Sequence, residues 1–358
     1  MDKIRLFPVP QQNFTDGAQF RAYLVENFHP EEITNELTIL VGLTRRTQAE
    51  TLDVLAKAGF QTQRQLGAVS HLRFGDDDGA FETYFTYEEG SGVVVFYTNF
   101  RKTEEIPQLN SFLYGDPKTY PLFFRPAVML AIVDGLMERF PNLQIVEFTA
   151  RRHPGSKQPA KIRPDARRTF SYWAGDGRET LAELRFLYGV LPDRAILEIP
   201  DEGKFGVDSR GFLTFYRGNL SIVFEILGTA ISESRLTVKA FDGSAFQVYP
   251  IRTANKSFDI PSSKPVQIRL RRKLDYTEVD EFVRLLDSEG YSVLNLTAEE
   301  GSLFLSADII STSGQRFRVK ATESSLRVLP TGDPQFQALM EFYKFVVDSV
   351  DAQAELAT

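Results

Sequence analysis

The sequence contains no cysteine, which excludes disulfides, thiolate metal ligands and cysteine nucleophiles. That absence fits a reducing cytoplasm, the location expected here. Histidine is nearly as scarce. His29, His71 and His153 stand far apart, without the paired spacing of a zinc helix, and His71 falls in an expected strand as a structural residue. No apolar run approaches the roughly 20 residues of a membrane helix. The start, MDKIRLFPVPQQNF, has no basic flank followed by an apolar stretch, so no membrane association is expected. The chain also lacks a GxxxxGK[ST] loop, a GxGxxG turn and a GxSxG elbow. ATP hydrolysis, dinucleotide binding and α/β-hydrolase chemistry therefore have no support, and no cofactor is expected.

Positive charge is in deficit as well. Among 358 residues there are 41 Lys and Arg against 48 Asp and Glu, a formal net charge of −7. A chain that only coats nucleic acid is usually basic. What the sequence has in plenty is core material, including 30 Phe, and its length predicts two or three domains.

One arrangement recurs three times. A strand-like run, LTILVGL from Leu37, TFSYWAG from Thr169 or VQIRLRR from Val266, precedes a helix start. The starts are Thr47 with Glu50, Asp176 with Glu179, and Thr277 with Asp280. Each pairs a capping side chain with a carboxylate three residues on, the pattern that satisfies orphan backbone N–H groups. Apolar pairs then fall in one phase, Leu52 and Leu55, Leu181 and Leu184, Phe282 and Leu285. Gly59, Gly189 and Gly290 end the helices, where a left-handed conformation favours glycine.

Short extended segments with glycine and acidic turns follow, which predicts antiparallel hairpins. Closing helices are expected over Arg125–Phe140, Leu220–Leu227 and Pro334–Asp351. The expected fold is therefore α+β, with three β-α-β-β-β-α units, mainly antiparallel curved sheets and helices on one face. A short strand KIRLF and a helix near Gln19–Phe28 precede the first unit. Arg235–Ile260 reads as further strands, and Pro261–Pro265 as a linker. The expected domains are 1–150, a basic connecting loop 151–168, a middle unit 169–260 and a C-terminal unit 266–358.

Chemistry-bearing patterns are few. Pro192-Asp193 followed by Glu202-Gly203-Lys204 has the letters of a metal-dependent nuclease, with two acids for the metal and a lysine for the water. The spacing is short, and a hairpin turn accounts for the second half. Asp76, Asp77 and Asp78 read as a charged hairpin tip. No metal site is assigned.

The strongest local signal is Arg151–Arg168, RRHPGSKQPAKIRPDARR. Five Arg, two Lys and one Asp give +6, leaving −13 on the rest of the chain. Its prolines discourage helix and sheet. Arg151, Arg152, Lys157, Lys161, Arg163, Arg167 and Arg168 are the candidate binding residues, for phosphate groups or for an acidic partner. The leading reading of the loop is a solvated connector. The chain as a whole reads as a non-enzymatic adaptor subunit of a cytoplasmic multi-protein assembly, with a protein partner. Nucleic-acid binding through the sheets or the basic loop is the alternative, and the nuclease pattern is a distant third.

Overall fold

The computed structural model describes residues 6–29, 36–75, 80–99, 107–153, 160–162, 168–242, 246–252, 257–263, 265–299, 304–331 and 336–357. Most of the expected KIRLF strand lies outside them, as do Asp76, Asp77 and Asp78. The chain divides into two compact units, 1–152 with 158–235 and 153–157 with 236–358.

The first unit opens with α1 (Gly17–Asn27), capped by the Asp16 carboxylate, which accepts from the Gln19 N–H at 2.8 Å. Then come β1 (Leu37–Thr44), α2 (Gln48–Lys57), β2 (Phe60–Leu66), β3 (Val69–Phe74), β4 (Phe81–Glu88) and β5 (Val93–Thr98). After them follow α3 (Pro107–Gly115), β6 (Thr119–Pro121), α4 (Pro126–Arg139), β7 (Gln144–Arg151) and β8 (Thr169–Trp173). α5 (Gly177–Tyr188), β9 (Leu191–Ile199), β10 (Gly203–Asp208) and β11 (Phe212–Gly218) lead into α6 (Leu220–Asp242).

These strands form one 11-stranded antiparallel sheet in the order β2-β3-β4-β5-β1-β11-β10-β9-β7-β8, with β6 also on β1. β1 reads LTILVGLT and is buried throughout, as an apolar run flanked on both faces must be. It pairs with β5 along one edge and shares the other between β11 (Leu37–Leu40) and β6 (Gly42–Thr44). The first two meanders are thus one sheet. α2 and α3 pack on a core of Leu40, Phe85, Phe96, Phe112 and Phe212. Phe20 and Phe28 lie against Tyr97 and Phe215, with ring centroids 5.2 and 6.1 Å apart.

In the second unit β12 (Phe246–Arg252) and β13 (Ser257–Ser263) form a hairpin. β14 (Val266–Arg269), α7 (Val279–Ser288), β15 (Ser292–Glu299), β16 (Phe304–Ile310), β17 (Arg316–Thr322), β18 (Ser325–Pro330), α8 (Phe336–Phe345) and β19 (Glu355–Leu356) follow. The sheet order is β15-β16-β17-β18-β14-β19, again antiparallel. Phe317, Val319, Ala321, Leu326 and Val328 are buried on its inner face, where Phe317 meets Phe342 of α8 at 5.1 Å.

The fold is α+β, and strand, helix, antiparallel meander and helix recur in order three times. Gly59, Gly189 and Gly290 have φ of 99°, 61° and 81°, the left-handed helix ends their positions predict. In the first and third copies the opening strand pairs with the last meander strand, β1 with β5 and β14 with β18. In the middle copy β8 pairs with β7 instead, and β11 is taken by β1.

Local expectations need four corrections. The Thr47–Glu50 capping box is present, but the third box lies at Asp275–Glu278, two residues early, because Asp275 accepts from the Thr277 N–H and hydroxyl. Asp176 makes no cap bond and accepts the Tyr172 hydroxyl instead. The segment from Arg235 is helical up to Asp242. Its alternation looks strand-like, but buried Leu227, Ala230, Ser234, Val238 and Phe241 continue a helical period. Pro261–Ser263 is the end of β13, paired with Phe246–Val248, rather than a linker.

Leu181, on α5, is 1% exposed. Leu181→Ala should lower unfolding free energy by about 2–5 kcal/mol, the range for large-to-small core changes. Urea denaturation measures it, and a loss under about 0.5 kcal/mol would place that helix face in solvent.

Candidate functional site

The basic segment begins on β7 and is drawn against the C-terminal end of α5. That helix starts at Gly177, where an added Cβ would lie 2.0 Å from the Ile145 carbonyl oxygen of β7, so only glycine lets helix and strand approach this closely. The last carbonyls of a helix have no partner within it. Here the segment supplies them. The backbone N–H groups of Lys161 and Ile162 both donate to the Leu187 carbonyl at 2.9 Å. The Arg152 guanidinium donates to the Gly189 carbonyl at 3.1 Å. The Lys161 ammonium stands 3.7 Å from the Phe186 ring centroid, and the Arg168 guanidinium 4.9 Å from that of Tyr188. Cations at a helix C-terminus oppose its negative end, and over aromatic faces they gain further attraction.

Of the seven candidate residues, Arg151, Arg152, Lys161 and Arg168 are therefore gathered around one helix end and one strand. Arg151 pairs with Asp193 across β7 and β9 at 2.7 Å. Lys157, Arg163 and Arg167 lie outside the described residues. The described part of the segment straps the C-terminal end of α5.

β8 forms one end of the 11-stranded sheet and, among the described residues, pairs with β7 alone. Alternate residues Phe170 and Tyr172 turn toward the fold, with Phe170 5.1 Å from half-buried Tyr188 and Tyr172 stacked on buried Phe148 at 5.3 Å. Hydrogen bonding to Asp176 holds the Tyr172 phenol above its ordinary pKa. Thr169, Ser171 and Trp173 face solvent. Trp173, the chain's single tryptophan, is 68% exposed, and Phe186 on α5 is 59% exposed. Neither residue carries a catalytic signature, so residue-type reasoning passed over both. The signal available was the bulky apolar end of TFSYW beside a basic run.

The nuclease letters do not converge. Asp193 sits near the start of β9, and Glu202 is in the turn beyond its end, about 20 Å of strand away at 3.4 Å per residue. Asp193 is bound by Arg151, and the Lys204 ammonium lies 3.7 Å from Glu198. Among the described residues, no group of three or more His, Asp or Glu is placed to hold a metal ion. His71 contacts Glu82 at 3.4 Å, and burial lowers its pKa. Among the described residues no helix is long and apolar enough to cross a membrane.

The second unit holds a separate ionic cluster. Asp308 of β16 has a fully buried side chain that accepts from Arg318 Nε at 2.8 Å, Arg316 at 2.7 Å and the Asn295 amide at 2.9 Å. Those hydrogen bonds, Arg318 first, hold its carboxyl far below the usual range. A depressed folded pKa stabilises the fold above the unfolded value of about 3.9, and that stabilisation is lost as pH falls further.

Two outcomes follow. Arg152→Ser should cost about 1 kcal/mol in denaturant unfolding and speed amide exchange at Gly189 and the last turn of α5, since it removes one charge-assisted bond. Acid titration of the parent below about pH 4 should show a loss of stability that Asp308→Asn reduces, measured by thermal melts across pH.

A family model described as a family middle domain matches residues 129–210, which span most of α4, then β7, β8, α5, β9 and β10. That stretch includes the whole helix-and-edge arrangement. The full chain is similar to an uncharacterized protein of Archaeoglobus fulgidus, 24% identical over 363 residues and covering 98% of each chain.

Proposed function

We propose that this chain is a non-catalytic binding subunit of a cytoplasmic assembly, and that it grips an extended, acidic segment of a partner protein along the free edge of β8. One observation carries the reading: a sheet edge that, among the described residues, pairs with no further strand and has a largely exposed tryptophan at its end. Edge strands are normally blunted by lysine, proline or a covering element. TFSYW contains no charge and no proline. Added strands gain affinity from main-chain hydrogen bonds and specificity from side-chain pockets. Around this edge Trp173 and Phe186 offer apolar anchors, while Lys161 and Arg168 favour an acidic strand over a basic one. An exposed aromatic anchor of this kind is typical of the centre of an interface.

A photo-crosslinking residue placed at Trp173, in the native cell, should capture a discrete protein. The same residue at exposed Leu236 should not. In the purified complex, Trp173→Ala should weaken association by about tenfold or more, the usual effect of removing a hot-spot aromatic. Crosslinks to nucleic acid at position 173, or equal capture from both positions, would defeat the reading.

A further inference from the structure

The outer face of the six-stranded sheet has a charge pattern that its own fold does not explain. On β17 the outward residues are Arg316, Arg318 and Lys320, alternating with buried Phe317, Val319 and Ala321. Their spacing is about 6.8 Å, two residues of strand each. On β18 the outward residue Arg327 is exposed and sits directly across from Lys320. Like charges facing each other in a sheet destabilise it. Among the described residues neither Lys320 nor Arg327 has an ion-pair partner. Among the described residues the one carboxylate within the patch is Asp308, fully buried, which bonds both arginines while each stays about half exposed. Four cations against one carboxylate leave +3 on this patch, and Arg269, Glu299 and Glu355 bring the whole face to +2, on a protein whose total is −7. The remaining acids of this face stand at its corners: Glu299 on β15, and Glu355 across from Arg269 and paired with Arg271 at 3.1 Å.

We infer that the Arg316–Arg318–Lys320–Arg327 face is a docking surface for the phosphate backbone of duplex nucleic acid. A regular row of cations at i, i+2 spacing suits a regular row of phosphates, and arginine forks suit their oxygens. Asp308 and Asn295 pre-position two of the forks, so little side-chain freedom is lost on binding. A repulsive pair kept on an open face is a stability cost of the sort that binding sites carry. Cations held at fixed sheet positions match the regular phosphate spacing of a duplex, whereas single-strand grooves work by stacking bases on aromatic rings. The contacts are all of the backbone kind, so binding is independent of sequence. This surface belongs to the second unit, and the inference stands whether or not the β8 edge of the first unit binds protein.

The test uses the full chain and a fluorescein-labelled 20-base-pair DNA of mixed sequence, with anisotropy read from 50 to 200 mM salt. The parent should bind with a log–log salt slope of roughly −3 to −4, from about 0.9 per phosphate contacted. Lys320→Gln with Arg327→Gln should reduce the affinity at 100 mM salt by about tenfold and the slope by about two. The melting temperature of this variant should hold or rise, because a repulsion has been removed. Arg152→Ser with Arg168→Ser should leave duplex binding unchanged. The inference is overturned if the parent shows no salt-dependent duplex binding, or if the double Gln variant binds as the parent does. It is equally overturned if that variant melts lower, if the basic segment's variant is the one that loses binding, or if a single strand, an acidic peptide or anionic vesicles compete better than the duplex.

Discussion

Every residue of β1 is buried, and its two edges carry three different strands. β5 lies along one edge, while β11 and β6 divide the other between them. Backbone donors and acceptors buried in this way must all be paired, so the position of β1 dictates where both meanders lie. The N-terminal meander hangs from it through β5, and the middle meander through β11. That second attachment leaves β8 at the far end of the sheet, with β7 its one partner strand among the described residues. The exposed edge at TFSYW is thus a consequence of where β1 inserts. The third copy has no such competitor, and there β14 simply closes on β18, with the two-residue β19 on its outer edge.

The charges follow the same division between structural and free groups. Arg46 is bound through two bonds to Asp116, at 2.8 and 2.7 Å, and Arg21 to Glu88 at 2.5 Å, both at the margins of the first core. Arg151, Arg152 and Arg194 are likewise occupied by Asp193, a helix-end carbonyl and Glu147. Pairing of this kind fixes geometry and leaves little attraction for an outside anion. Lys320 and Arg327 face each other across β17 and β18 instead, with no ion-pair partner among the described residues.

Much of the fold was legible because local rules governed it. The Thr47–Glu50 box, the phase of Leu181 and the three glycines depend on residues within one or two turns, and they are where their pattern puts them. What escaped depended on distance. Nothing near Thr169 signals that β8 will pair with β7 while β11, the counterpart of the strand that closes the other two copies, pairs with Leu37–Leu40. The two-residue shift of the cap to Asp275 arose because the Asp275 carboxylate and Glu278 complete the box, with Asp275 accepting from the Thr277 N–H. The composition of the basic segment announced charge but not its use, since Arg152 finds its acceptor at Gly189 and Lys161 its acceptor at Leu187. For the outer face of the second unit the alternation RFRVK was visible, but its facing Arg327 was identifiable only from strand register.

The insertion of β1 also sets a schedule. Leu37–Leu40 emerge from the ribosome long before Phe212–Phe215, their partners across the sheet. At about 5–20 residues per second, some 175 intervening residues take roughly 10 to 35 seconds to make. β6 arrives early and covers only Gly42–Thr44. For that interval an apolar strand edge stands open, bearing the unpaired groups that recruit a wrong strand most readily. Slowing translation between β6 and β11 would lengthen the exposure, and a nascent chain stalled there is the form of this protein most prone to aggregate or to need a chaperone.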